Sequence, residues 1–527
     1  MNSSPVPTLR DNPVHIQSPA KMPRTLLPTF ALAIVLLSTL LTPFRRELFV
    51  GDETKYSEVV REMRATGAFL LPTLNGTPFT HKPPIHFWLL DLLTIPFGVY
   101  SLWPFVIPSL LAFAALLWLM HRMGGAVAAF VCGTSILVWG SAQTARMDVE
   151  FTLFITLGAW MLQRFFDDDD FRALLIAAVS LAVATLIKGP MAPVIAIMLF
   201  LFEWWRRKRV PRGNYLPAVA ALVVIPLLWV VPAMIRGGST YRHDIVVKQT
   251  VGRAFGAWVH QSPPWYYLAH SPAFLFPWFL LLVVALLRRG HDGFHRNWLL
   301  AVLVPYSLMS SKLDVYMMAL VPPAALLIAQ LVRSDDARDV RRGRIANMVM
   351  LLLFALVGVA GLLIQPRQLK EGGELLARGD VRLMFGVLLA AAVIAVVVAL
   401  RDRALTGSTY AVGLVPLAML IYVAAALMPL VNDLASSRPL VVALTKQQVA
   451  PEQVALYACP HLWSRDMSPA LERVHYVDAK TLLNAAYQPE LIATSRKHAV
   501  EIAPALARYR KVDQLQLIGK WFDVYRR

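Results

Sequence analysis

The chain has 527 residues, of which 57% are hydrophobic and only 16% are charged, and its mean hydropathy is +0.54. Soluble domains contain nearer ~45–50% apolar and ~25% charged residues, so this composition excludes an ordinary soluble protein. The formal net charge of +18 does not indicate nucleic-acid binding, because the Lys and Arg residues fall mainly in short runs between apolar segments. That distribution is typical of a multi-pass membrane protein.

Apolar stretches of helical length recur from residue 25 to residue 430, after a polar segment, 1–24, that we expect to be a disordered cytoplasmic tail. A bilayer core of ~30 Å needs about 20 apolar residues per helix, which predicts a polytopic α-helical membrane domain with about 13 transmembrane helices. The predicted spans lie near 25–44, 104–120, 124–141, 149–163, 172–187, 189–205, 215–235, 271–287, 296–310, 314–332, 346–364, 381–400 and 408–430.

The basic residues between these spans predict the orientation of the chain. Segment 86–99 is short and carries Asp91 and Pro96, and we expect it not to cross the membrane. Nearly every basic cluster then lies on the cytoplasmic side, as the positive-inside rule requires. The outer face receives two long loops, 45–103 and 236–270, and the tail 431–527, whose short apolar runs predict a small extracytoplasmic α/β domain.

The first outer loop contains the sequence GDETKYSEVVREMRATG, which predicts a helix on the membrane surface. Tyr56 begins an apolar face that continues at i+3, i+4 and i+7, and Gly67 is expected to end the helix. Asp52 stands at its start, where it can serve as a capping residue or as a chemical group, and the spacing leaves both roles open.

Three lysines and a second aspartate stand at predicted outer ends of spans. Lys82 precedes two prolines, which hold the backbone extended, and it can either bind a phosphate or extend to the membrane interface. Asp148 is the last residue of the motif ARMD, Lys188 is the first of KGP, and Lys312 lies within SSKLDVY. Charges in lipid are costly, so their convergence with Asp52 on one membrane face predicts a functional site.

Six motifs, taken in order along the chain, resemble those of the GT-C membrane glycosyltransferases of family 39. They are DETKYSEVVREM, HKPPIHFW, ARMD, LIKGP, SPPWYYL and SLMSSKLDVYMMALVPPAALLIA. That family includes dolichyl-phosphate-mannose-protein mannosyltransferases and the bacterial lipid A aminoarabinose transferases. The resemblance implies a GT-C fold and an inverting transfer of a sugar from a polyprenyl-phosphate donor to a lipid A-like or protein acceptor. It further implies a bacterial inner-membrane enzyme with a periplasmic site, which we expect to act as a monomer among membrane lipids, without nucleic acid.

The resemblance also implies roles for particular residues. The family carboxylates match Asp52, a general base, and Asp148, and the family lysines match Lys82 and Lys188, which would bind the donor phosphate together with Lys312. Neighbouring residues of the same motifs are expected to bind substrate, and these are Glu53, Tyr56, Arg146, Tyr266 and Tyr316.

One position departs from the family pattern. Aminoarabinose transferases usually carry Glu before the KPP sequence, whereas this chain has His81. In those enzymes the acidic residue can share a metal with a histidine before the PPWYY-like motif, and His260 stands at that place. A His81–His260 pair can hold zinc, but two histidines are more often ordinary hydrogen-bonded residues. The departure leaves the donor sugar open.

The alternative function is a membrane transporter or flippase. A transporter should carry ionisable residues near the middle of its spans, often beside broken helices arranged as repeats. Here the ionisable residues cluster at the outer ends of helices and in outer loops, which favours an enzyme.

The orientation of the chain is directly testable. Reporter fusions after residues 122 and 440 should report opposite sides of the membrane, because the basic loops place residue 122 inside and the tail outside. Signals from the same side would contradict the predicted topology.

Overall fold

The computed structural model describes residues 26–245, 261–288, 290, 293–365, 373–402 and 404–527. Most of this structure is helical, and one continuous apolar core runs through the helix bundle. The helices up to residue 243 are α1 Leu26–Leu41, α2 Asp52–Thr66, α3 Ile85–Phe97, α4 Trp103–Thr134, α5 Ile136–Ser141, α6 Asp148–Asp168, α7 Phe171–Lys188, α8 Met191–Arg207 and α9 Leu216–His243.

The second half of the bundle and the C-terminal region continue this order. A 3-10 helix, Asp314–Leu320, runs directly into the helix that follows it. The remaining α-helices are α10 Tyr266–Phe274, α11 Phe279–Leu287, α12 Gly293–Leu308, α13 Val321–Val332, α14 Ala337–Leu363, α15 Gly373–Ala377, α16 Gly379–Arg401, α17 Leu405–Tyr422, α18 Met428–Ala435, α19 Arg438–Lys446, α20 Ala479–Leu483 and α21 Ala503–Leu506.

Fewer helices than expected have the length and hydropathy of a complete span. Within the described residues seven do, or eight if the bent pair α10 and α11 forms one span. The predicted count of about 13 is therefore not confirmed. Two predicted spans, 104–120 and 124–141, fall largely within α4, which is interrupted at Gly125 (φ 69°, ψ −172°). Others form apolar helices of only 16 or 17 residues, as in α1, α8 and α12.

Segment 86–99 forms α3, whose 13 residues would reach about 20 Å at 1.5 Å per residue, short of the bilayer core. One face of α3, with Phe87 and Leu90, is buried, and the opposite face exposes Leu92 and Ile95. Its Asp91 accepts a hydrogen bond from Arg64 of α2 at 3.1 Å. The short helix thus lies against α2, and that it does not cross the membrane stays a prediction.

The C-terminal region carries a mixed five-stranded sheet with strand order β4-β3-β5-β7-β6. Strands β3, β4 and β5 are parallel, and β7 is antiparallel to both β5 and β6. Because side chains alternate across a strand, Leu491 and Ile492 enter cores on opposite faces of the sheet. The strands are β3 Val454–Tyr457, β4 His475–Tyr476, β5 Leu491–Ser495, β6 Arg510–Leu517 and β7 Lys520–Arg526, and a separate hairpin pairs β1 Thr73–Leu74 with β2 Thr77–Pro78.

This C-terminal region packs on the segments that flank α2. Arg465 donates hydrogen bonds to the backbone carbonyls of Phe44 at 2.9 Å and Arg46 at 3.1 Å. Glu472 accepts hydrogen bonds from Tyr100 and, at 3.5 Å, from Arg61 of α2. The C-terminal region therefore contacts both α2 and the segment before it.

Candidate functional site

Asp52 and Asp148 are the first residues of α2 and α6, and a single arginine joins them. Arg146 Nη2 lies 3.3 Å from Asp52 Oδ2, and Arg146 Nε donates to Asp148 Oδ2 at 3.0 Å. The Asp52 side chain is 36% exposed, whereas that of Asp148 is only 3% exposed. The two predicted carboxylates thus meet in one site, and only Asp52 is open to solvent.

The capping role considered for Asp52 is not observed. The helix is capped at Gly51, which takes a backbone conformation (φ 121°, ψ −120°) that other residues rarely adopt. Asp52 follows as the first helical residue, and its carboxylate faces Arg146 and, at 3.9 Å, Lys55. As expected, α2 ends before Gly67, and the predicted apolar face is buried.

Lys188 completes the row of charges. It is the last residue of α7, and its ammonium donates to Asp148 Oδ1 at 2.5 Å. The same ammonium lies 5.2 Å from the centre of the Phe151 ring and 5.0 Å from that of Tyr316, a favourable placement for a cation against an aromatic face. Asp52, Arg146, Asp148 and Lys188 therefore alternate in charge along one continuous line.

Two predicted substrate-binding tyrosines flank this row. Tyr56, one turn into α2, is buried, and burial raises its pKa well above the usual value, with a further contribution from the negative charges of Asp52 and Asp148. Tyr316 stacks on Tyr306 with ring centres 5.5 Å apart. Tyr56 and Tyr316 thus place aromatic rings beside the row.

The turn that carries Lys82 is held near the same end of α6. His86, four residues later, is fully buried, and its Nδ1 lies 2.8 Å from Glu150 Oε2 in the first turn of α6. Its ring packs edge-on against Tyr56, with ring centres 5.8 Å apart. Lys82 itself is half-buried. The His86–Glu150 contact therefore ties the Lys82 turn to the helix that begins with Asp148.

Glu53 is buried and has a structural role that differs from the predicted substrate contact. Its carboxylate forms a salt bridge with the buried Arg46 and accepts hydrogen bonds from the backbone amides of Phe49 at 2.8 Å and Ala145 at 2.6 Å. These contacts join the segment before α2 to the Arg146 loop. We therefore revise the role of Glu53 from substrate binding to positioning of its neighbour Asp52.

Lys312 also differs from its prediction. It is 3% exposed, and its ammonium donates to the backbone carbonyls of Ser262, at 3.1 Å, and Met309. Segment 261–262 pairs with 310–311 at the same place. These contacts indicate that Lys312 joins two loops rather than presenting a charge to a donor phosphate.

Tyr266 lies near Asp314, the first residue of the 3-10 helix that carries Tyr316. Its ring packs on His270 with centres 3.9 Å apart, and His270 Nδ1 lies 3.2 Å from Asp314 Oδ1. The next residue, Tyr267, is buried and exchanges hydrogen bonds with the backbone of Leu313 at 3.2 Å. Tyr267 thereby anchors the PPWYY motif to the segment before Tyr316, whereas Tyr266 remains partly exposed.

The zinc hypothesis stays a prediction. His81 is exposed, and its ring lies 5.1 Å from that of Phe79, while His260 falls outside the described residues. Within the part of the chain that the structure describes, no group of three or more His, Cys, Asp or Glu side chains could hold a metal ion.

Arg46, His86 and Glu150 were not predicted as members of the site. His86 lies inside the motif HKPPIHFW and Glu150 inside ARMDVE. Their position within these motifs is the feature of the sequence that could have identified them as site residues. One nitrogen of His86 and one oxygen of Glu150 are buried without a hydrogen-bond partner. Because a buried ionisable pair is costly to desolvate, its place beside Tyr56 and Asp148 marks it as part of the support of the site.

Comparisons with known proteins bear on this arrangement. Residues 81–229 match the dolichyl-phosphate-mannose-protein mannosyltransferase family, a segment that contains Lys82, Arg146, Asp148 and Lys188. Over 399 residues the chain is 27% identical to an undecaprenyl phosphate-alpha-4-amino-4-deoxy-L-arabinose arabinosyl transferase of Pseudomonas fluorescens strain Pf0-1, covering 70% of this chain and 69% of that protein. The corresponding transferase of Edwardsiella ictaluri is 27% identical over 360 residues, 64% of each chain.

A solved structure matches nearly the whole fold. The crystal structure of ArnT from Cupriavidus metallidurans bound to undecaprenyl phosphate aligns with a TM-score of 0.71 and 17% sequence identity, over 95% of this chain and 98% of that chain. The sequence alignments span about two thirds of the relatives' lengths, whereas the structural alignment includes the C-terminal region. The predicted resemblance to GT-C membrane glycosyltransferases and the predicted helical membrane fold with a small C-terminal sheet region are confirmed.

The revised role of Glu53 makes a prediction about stability. Glu53→Gln should lower the free energy of unfolding by about 3–5 kcal/mol, because it leaves the buried Arg46 without its counter-charge. Thermal unfolding in detergent measures the loss. The control Glu452→Gln removes an exposed ion pair with Arg473, and it should change the free energy of unfolding by less than about 1 kcal/mol. A Glu53→Gln protein with normal stability but weakened substrate binding would restore the original prediction.

Proposed function

We propose that this chain, a relative of the GT-C membrane glycosyltransferases in sequence and in fold, transfers a sugar from a polyprenyl-phosphate donor to an acceptor. The donor lipid is undecaprenyl phosphate, the lipid named in the related transferases and in the matching crystal structure. The acceptor is a lipid A-like glycolipid or a protein, and the site faces the periplasm from the bacterial inner membrane.

The observation that carries this proposal is the alternating row of Asp52, Arg146, Asp148 and Lys188. One carboxylate of the row is accessible and the other is buried between two cations. An accessible carboxylate can take a proton from an acceptor, and a row of fixed charges holds it in place. All four residues stand at or near the ends of helices, where a lipid-borne headgroup meets the protein.

The same location argues against the transporter alternative. Asp52 and Asp148 begin their helices, and Lys188 ends its helix. Transport pathways place such groups near the middle of their spans.

In the proposed reaction, the bond between the sugar C1 and the donor phosphate oxygen breaks while C1 bonds to the acceptor oxygen. The leaving polyprenyl phosphate gains negative charge, which nearby cations stabilise in the transition state. The row of four charges is itself neutral, so a cation outside it is needed to balance that gain. Lys82 is the residue we assign to this role, because the His86–Glu150 contact holds its turn near the start of α6.

Asp52 is the residue we assign as the general base. An acceptor hydroxyl gives its proton to the Asp52 carboxylate and attacks C1 from the side opposite the phosphate, which inverts the configuration at C1. Asp148 is less suited to this task, since its two oxygens already accept from Arg146 and Lys188. If the acceptor is a phosphate group, no proton has to be removed, and Asp52 positions the acceptor instead.

The donor sugar is left open by this assignment. The relatives are named for 4-amino-4-deoxy-L-arabinose. This chain has His81 at the place before KPP where aminoarabinose transferases usually carry Glu. A cationic or neutral imidazole recognises an amino sugar differently from a carboxylate. Mass comparison of lipid A, total lipids and envelope proteins between a deletion strain and its parent identifies the product.

Replacing the base separates chemistry from folding. Asp52→Asn should slow transfer to a hydroxyl acceptor by about 10²–10⁴-fold, because the amide cannot take a proton. Melting in detergent should stay close to wild type, since Asp52 is exposed and does not cap α2. Asp148→Asn should lower both rate and melting temperature, because it weakens a buried ion pair. Near-normal turnover by the Asp52→Asn protein would show that Asp52 is not the base.

The two lysines should also differ. Lys82→Ala and Lys188→Ala should each weaken donor use by about 1–3 kcal/mol, the contribution of a charged hydrogen bond to the phosphate. Lys188 can make such a bond while it pairs with Asp148, because an ammonium has three N–H donors. Only Lys188→Ala should also lower stability, because it leaves the buried Asp148 with a single counter-charge. The measurement is kcat/KM for the lipid donor, with the exposed Lys480→Ala as the control. Normal donor use by both variants would exclude them from phosphate binding.

A further inference from the structure

A groove with a cavity volume of about 440 Å³ lies where α14, α16 and α17 meet, at the end of the bundle that carries the basic run 338–344. Most of its lining comes from one face of α14, at helical spacing. The lining residues are Ala337, Val340, Arg341, Arg344, Ile345, Met348, Ala399 and Ser408.

The arginines of this groove have no acidic partner among the residues that the structure describes. Arg341 is exposed, and Arg344 is half-buried with one weak hydrogen bond, 3.4 Å long, to the carbonyl of Ala399. Nearby acidic side chains are engaged elsewhere. Asp339 pairs with Arg288 at 3.0 Å, and Asp402 accepts a hydrogen bond from the Ala404 amide at 2.9 Å.

The groove also lies at the level where the surface of the bundle becomes apolar. Beyond Ile345, α14 exposes Leu352, Leu353 and Leu356, an apolar surface typical of a helix long and apolar enough to span a membrane. A ligand of the groove would therefore meet positive charge at the arginines and apolar side chains below them. A soluble anion would use only the first of these features.

We propose that this groove binds an anionic phospholipid, with its headgroup phosphate at Arg341 and Arg344 and an acyl chain along Ile345 and Met348. Basic pockets between transmembrane helices recognise anionic headgroups in this way. The site is separate from the transferase site, since it is lined by α14, α16 and α17 rather than by α2, α6 and α7. Bound lipid would stabilise the packing of these three helices.

The test compares two charge-matched double variants of the full-length, delipidated protein. Arg341→Gln/Arg344→Gln removes the groove arginines, and Arg338→Gln/Arg342→Gln removes two exposed arginines of the same helix that do not line the groove. Native mass spectrometry measures binding of phosphatidylglycerol and of phosphatidylcholine with identical acyl chains. Each groove arginine should contribute about five-fold to the affinity for phosphatidylglycerol, so the first variant should bind this lipid about 25-fold more weakly than wild type. The affinity of the second variant should stay within about three-fold of wild type.

Three results would overturn the proposal. These are equal weakening by both double variants, equal affinity of the wild type for both lipids, and competition by glycerol 3-phosphate as strong as that by the lipid. Because Arg344 contacts α16, the exposed single change Arg341→Gln serves as a second variant that does not disturb helix packing. It should weaken phosphatidylglycerol binding about five-fold, and unchanged binding would contradict the site.

Discussion

The Arg146 guanidinium lies between the carboxylates of Asp52 and Asp148, and the arrangement of the site depends on this contact. Two like charges brought together near lipid would repel each other and lose hydration. A planar cation between them removes the repulsion and sets the distance between α2 and α6. Lys188 then neutralises the remaining charge of Asp148, so the whole row is held without net charge.

The rest of the structure holds the pieces of this row in place. Glu53 links the start of α2 to the Arg146 loop, and His86 with Glu150 links the Lys82 turn to α6. The C-terminal region binds the segment before α2 through Arg465 and α2 itself through Glu472. The proposed role of Asp52 as general base needs such support, because transfer requires a fixed geometry between base and acceptor.

Much of the fold could be predicted from the sequence because three of its signals depend only on nearby residues. They are the apolar composition of the spans, the basic residues of the loops and the glycines that end helices. Helix α2 begins and ends where its pattern predicts. Strands β5 and β7 were not predicted, since their short apolar runs can be recognised as strands only through pairing with distant strands. The contacts of Lys312 could not be predicted, because an ionisable residue at a helix end can bind either backbone carbonyls or a ligand. The Arg46–Glu53 pair depends on tertiary contacts that spacing does not reveal.

A double-mutant cycle on Asp52 and Arg146 tests the central claim most directly. Single-turnover transfer rates are measured for Asp52→Asn, Arg146→Gln and the double variant, each first shown to melt as a folded protein. If Arg146 acts by holding Asp52, the double variant should be about as slow as the slower single variant, because the two effects share one interaction. Rate losses that multiply in the double variant would show that the two residues act independently and would contradict the account.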